Sequence, residues 1–163
     1  MEDIVMTQEN KELLLKDLCA RLPYGVKGQA KGMIKFFADE EVSEEPWTLT
    51  NINAQLNKFG ADTQTGIPLF NTRTGKCNFK PYLFPMSSMT DEQWRELFAT
   101  AGYEVREEDC GRHTEMYYYQ LVGHENELYP NSDAIDWLNK NHFDYQGLIE
   151  KGLAIDATGL NIY

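Results

Sequence analysis

Cysteine is scarce in this chain: the three residues, Cys19, Cys77 and Cys110, lie far apart and cannot all pair. An odd count at such spacings argues against a disulfide framework and for a reducing compartment. Long apolar runs are missing as well. No window approaches the roughly 18 residues that a membrane-spanning helix needs. The opening MEDIVMTQENKELLLKD has neither the basic start nor the apolar centre of a signal peptide. The sequence therefore predicts a cytoplasmic protein. Also absent are the short motifs that tie one spacing to one chemistry, namely GxxxxGK[ST], GxGxxG, GxSxG and HExxH. YGVKGQAKG does space its glycines three and four apart, but its neighbours read as strands and turns, so a phosphate would lack a helix N-terminus to rest on.

Positive charge is in deficit, with 15 Lys and Arg against 26 Asp and Glu and a net charge of −11. The excess of acids is uneven. Residues 101 to 163 hold twelve acids and four bases, and residues 1 to 50 hold ten and six, whereas residues 51 to 100 hold four and five. Such a field repels phosphate backbones, which makes nucleic acid an unfavoured partner. The one basic cluster, Lys58, Arg73, Lys76 and Lys80 with Asp62 among them, is thinly spread and reads as a solvated face.

What is present suits a single domain over residues 1–163, with 42% hydrophobic and 12% aromatic residues to build a core. Thr7 caps an amphipathic helix, 8–22, in which Leu14, Leu15, Leu18 and Leu22 recur at helical spacing before Pro23 and Gly25 end it. Residues 24–84 read mainly as β. YGVKGQAKGMIKFFA gives two short strands, WTLTNIN a third, and IPLFNTRTGKCNF a hairpin turning at Asn71 to Gly75. Between them, ADEEVSEEP is an acidic loop and AQLNKFG a helical turn ended by Gly60. The two prolines of KPYLFPMSS favour an extended crossing segment, a hinge between halves, over a central strand. Thr90 and Gln93 form a capping box for a helix near 91–101 that stops at Gly102. TEMYYYQLVG reads as a strand. Ser132 caps a helix at 133–142, Asp144 caps a fourth at 145–151, and LAIDA returns as a short strand. The predicted class is α+β, a small, strongly bent antiparallel sheet packed with four helices.

Four places could carry chemistry. AIDWLNKNHFDYQGLIEKG has the outline of a helix-turn-helix, yet Asp133, Asp136, Asp144 and Glu150 outnumber Lys140 and Lys151, the wrong sign for reading DNA. His142 and Asp144 could form an acid–base pair; the plainer reading places His142 at a helix end and Asp144 as an N-cap, with no nucleophile in sight. Cys110 and His113 look like half a zinc site that Glu115 and His124 could complete. No second paired motif accompanies them, so neither a metal nor a cofactor is predicted. Cys19, on the helix face with Leu15 and Leu22, reads as core. The aromatic run at 117–119 must turn at least one ring away from its neighbours. Tyr117 and Tyr119, with Lys76 and Lys80 as possible phosphate contacts, are therefore the candidate ligand- or partner-binding residues.

In LLLKDLCARLPYGV, KPYLFPMSSMT and DWLNKNHFDYQGLIEKGLA the chain resembles a family of small proteins, without assigned chemistry, from Bacteroides and related gut bacteria, their prophages and phages. The resemblance covers the first 26 residues, the Lys80 to Thr90 segment and the C-terminal third, and leaves residues 27–79 unmatched. It implies context only: a phage or mobile-element accessory protein acting inside a bacterial host cell. Together with the missing catalytic constellation, this predicts a non-enzymatic protein that binds a protein partner or a small ligand. Two alternatives stand beside it. One is an acidic decoy that occupies a nucleic-acid-binding protein; the other is a nucleotide-binding sponge or enzyme using the tyrosine face with Lys76 and Lys80.

Overall fold

The computed structural model describes residues 6–32, 41–42, 45–62, 64–102 and 131–163. The chain is α+β, with three α-helices among the described residues and a mixed, open sheet. It divides into two compact units, Met1–Leu83 with Gln146–Tyr163, and Phe84–Tyr145. Among the described residues no helix is long and apolar enough to cross a membrane.

In the first unit, α1 (Gln8–Arg21) starts where Thr7 accepts the Asn10 N–H at 3.2 Å, one of the donors that a first turn leaves open. Its buried stripe is Leu14, Asp17, Leu18 and Arg21, the i, i+3, i+4, i+7 spacing of one helix face. A 3₁₀ turn over Leu22–Tyr24 and Gly25 at φ 64° redirect the chain into β1 (Lys27–Gly32). The strands β3 (Trp47–Asn53), β4 (Lys58–Ala61), β5 (Gln64–Pro68) and β6 (Phe79–Pro85) follow, in the antiparallel spatial order β5-β4-β3-β1-β6. The short β2 (Glu41–Val42) pairs with the end of β1, and β8 (Ile155–Asp156) runs parallel to β6 at Tyr82 and Leu83.

Leu14 and Leu18 pack with Phe59, Leu69, Phe79, Leu83, Leu148 and Leu153 in this unit's core. Each such side chain contributes roughly 1.5–3 kcal/mol by leaving water. Phe59 and Phe79 meet at 5.3 Å between ring centroids, tilted by 58°. Phe79 also lies across Gly28, where an added Cβ would come within 2.4 Å of its ring and 2.6 Å of the Lys80 carbonyl oxygen.

Three expectations change here. AQLNKFG makes no helical turn; residues 54–57 are the turn of the β3–β4 hairpin, with Asn57 at φ 54°, and Phe59 then points into the core. KPYLFP is an internal strand despite its prolines. Pro81 has the parity of Leu83, whose carbonyl accepts from Ala157, and β8 pairs only with Tyr82 and Leu83, so no partner strand needs the missing Pro81 N–H. The fourth helix, 145–151, is a series of turns. Gly147 and Gly152 sit at φ 71° and 70°, left-handed values that break helical backbone, and turn bonds such as Lys151 N–H to Gly147 O (3.3 Å) and Gly152 N–H to Ile149 O (3.0 Å) form.

In the second unit, α2 (Asp91–Thr100) carries the complete capping box of Thr90 and Gln93. α3 (Ser132–Lys140) is capped by Asn131 and not by Ser132: the Asn131 side chain accepts the Ala134 N–H at 3.1 Å and donates to Ala101 O at 3.2 Å. It stops two residues short of His142, whose φ of 61° is left-handed. β7 (Phe143–Asp144) pairs in parallel with Phe84 and Pro85 of β6. Leu97 and Phe98 pack with Ala134, Leu138, Trp137 and Phe143, the last two stacked at 5.8 Å. The sheet is thus mixed and not wholly antiparallel, because β7 and β8 are reached from β6 through long connections instead of hairpins. The strand predicted at TEMYYYQLVG, and the second strand predicted before Ala38, lie outside the described residues.

Candidate functional site

The first unit contains a groove of about 320 Å³ beside the N-terminal half of α1. One wall is the helix face of Gln8, Lys11, Glu12 and Leu15; the other is Asn57, Phe70 and the loop from Asn71 to Gly75. Local chemistry fixes that loop. The Asn71 side chain accepts the N–H groups of Arg73 (2.9 Å) and Thr74 (3.1 Å), and the strand bridge Phe70↔Cys77 closes its base. Lys11 Nζ lies 5.7 Å from the Phe70 ring centroid, and Gln8 donates to Glu12 at 2.8 Å. The groove thus offers one aromatic face, one ammonium and one carboxylate among amides.

Of the residues singled out in the sequence, Lys76 follows Gly75 at the groove's edge, its N–H donating to Thr74 Oγ1 at 3.4 Å. Lys80 lies on β6 opposite Gln29, and the same register puts Lys31 diagonally across from it on one face. Lys80 and Lys31 both act on Cys77. Burial pushes that thiol up to about 12, while the Phe79 backbone hydrogen bond and the two ammonium groups pull it down. A thiol held protonated in this way is not a nucleophile. Tyr117 and Tyr119 lie outside the described residues, as do Cys110, His113, Glu115 and His124. Among the described residues no cluster of His, Cys, Asp and Glu could hold a metal ion.

Asp144 is not an N-cap but a buried strand residue opposite Pro85. His142, two residues before it, is also buried, its carbonyl accepting the Phe84 N–H at 2.9 Å. Cys19 is exposed and not core, because α1 turns Leu14, Asp17, Leu18 and Arg21 inward and leaves Leu15 and Leu22 half-buried at the margin.

A buried polar cluster lies beyond what the sequence predicts. Asp17 and Arg21 are both fully buried; Arg21 Nε donates to Asp17 Oδ2 at 2.8 Å, and Gln146 donates to the other oxygen at 3.2 Å. The only sequence sign is the i, i+4 spacing of opposite charges, common on surfaces. Tyr163 lies within the electrostatic reach of this pair. Burial of its hydroxyl pushes the phenol up to about 12, although the residue as a whole is 42% exposed.

No protein-family model, curated protein or solved structure matches the chain.

Proposed function

We propose that the protein is a non-enzymatic accessory protein of a phage or mobile element, acting inside a bacterial cell, that binds a protein partner or a small ligand at the groove beside α1. The observation that carries this reading is the groove itself. Its volume of about 320 Å³ falls at the lower end of small-ligand pockets. Its walls combine the Phe70 ring and Lys11 with amide groups that can orient an occupant. The three-block resemblance supplies the cellular context. Native mass spectrometry of the protein from the bacterium that encodes it, before and after mild denaturation, tests the reading. The expected result is an added mass, small molecule or polypeptide, that denaturation releases and that Phe70→Ala protein no longer carries. A clean apo mass, or an added mass that survives the substitution, would overturn it.

A second reading, the acidic decoy, is favoured by how charge divides. Phe84–Tyr145 holds thirteen acids and four bases, against thirteen and eleven in the remainder of the chain. On its helices Glu92 and Glu96, and Asp133 and Asp136, are exposed at i, i+4 and i, i+3 spacing. Salt-sensitive capture of a basic nucleic-acid-binding protein that is lost on neutralising these four residues would support this reading over the first.

A further inference from the structure

The antiparallel ladder between β1 and β6 pairs Ala30 with Phe79, Gln29 with Lys80 and Gly28 with Pro81, and there it stops. One more step would set Lys27 against Tyr82. In that place stands the hydroxyl of Tyr163, which accepts the Lys27 N–H at 3.0 Å and donates to the Tyr82 carbonyl at 2.8 Å, with the Lys27 carbonyl at 3.3 Å as a second acceptor. Lys27 holds the same segment by its side chain: Nζ donates to the Ile162 carbonyl at 3.0 Å and lies 6.0 Å from the Tyr163 ring centroid.

These contacts read a tyrosine and the peptide carbonyl before it: a hydroxyl that both accepts and donates, a ring under an ammonium, and an acceptor for that ammonium. The hydroxyl is the selective part, since no other side chain brings a donor–acceptor oxygen on a rigid aromatic ring of that length. The chain leading to it, residues 158–161, is exposed throughout, and Asn161 takes a left-handed φ of 49°. Ile162 and Tyr163 make the contacts to β1 and β6, whereas Thr158 and Leu160 bond only locally, to Asp156 and Ala157.

We propose that the seam between β1 and β6 is a tyrosine-binding site which Ile162–Tyr163 occupies in cis as a releasable strap, and which takes a tyrosine-bearing peptide when the strap is out. The inference does not depend on the groove beside α1. If the strap leaves, the Lys27 N–H and the Tyr82 carbonyl lose their partner, and the site is open to the same chemistry supplied in trans.

The test uses a chain ending at Leu160, the full-length Tyr163→Phe variant and the acetylated peptides Asn-Ile-Tyr and Asn-Ile-Phe. Amide exchange at Lys27 is expected to accelerate about tenfold or more in both proteins, because the hydrogen bond that holds this N–H is removed. The tyrosine peptide is expected to restore protection to the shortened chain, the phenylalanine peptide to fail, and full-length protein to bind neither. Unchanged Lys27 exchange in Tyr163→Phe would overturn the proposal, as would equal binding of the two peptides or equal binding to full-length protein. Should the shortened chain not fold, Tyr163→Phe decides: faster exchange at Lys27 with unchanged exchange at Ala157 supports the proposal, and faster exchange at both refutes it.

Discussion

Asp17 and Arg21 occupy positions on α1 that leucines would ordinarily take, facing inward with no exposed surface. Each charge in that setting offsets part of what the other lost on leaving water, and Gln146 adds a hydrogen bond to Asp17. Replacing either one by Ala should lower the unfolding free energy by on the order of 3–5 kcal/mol in urea titrations, because the remaining buried charge loses its opposite charge. Replacing both with Leu and Met should cost less than either single change. A double variant weaker than both single ones would show that the pair is not self-contained. Neither residue is recognisable as core from the sequence, where an acid and a base four apart describe a surface helix equally well. Cys19 fails in the opposite direction, an apolar residue whose angular position on the helix points outward.

At the scale of elements, Gly28 decides how closely β1 and β6 approach. A methyl group there would meet both the Phe79 ring and the Lys80 backbone oxygen. Gly28→Ala should destabilise the first unit by roughly 1–3 kcal/mol in the same titrations. Adding Phe79→Leu should not restore stability, because the clash with backbone remains. The starts of α1 and α2 are legible in the sequence because caps are local, Thr7 and Thr90 acting on residues three positions away, whereas at α3 two adjacent cap residues compete and Asn131, not Ser132, is the one used. The end of α3 and the turns at 145–151 are not, since His142 and Gly147 adopt left-handed backbone inside segments whose apolar spacing suits a helix. The groove is half legible. Asn71 to Gly75 announces a turn by composition, but that Phe70 faces Lys11 comes only from packing the helix against the sheet. Lys31 joins Lys80 by strand register, which no local pattern encodes.

Stability of the whole chain should fall in alkali. The Cys77 thiol is raised from 9.0, and the Tyr163 phenol from 10.0, each to about 12. Below the lower of these starting values both groups are protonated in folded and unfolded chains alike, so their contribution is intact. Above about pH 9 the unfolded chain releases protons that the folded chain keeps; the buried Cys77 thiol then weakens folding by up to about 1.4 kcal/mol per pH unit, and the Tyr163 phenol, partly exposed and screened by solvent, by less. Under reducing conditions the urea midpoint should decline from about pH 9 upward, and more gently in Cys77→Ala; parallel declines would contradict the assignment. The division of the chain has a further consequence, in the order of synthesis. Phe84–Tyr145 is continuous, whereas the core of the other unit needs Leu148 and Leu153 from beyond it. On the ribosome the inserted unit emerges complete while the first still lacks part of its interior. The β-strands made before it must then wait with apolar surface uncovered, the interval in which a nascent chain is most exposed to chaperones and to aggregation.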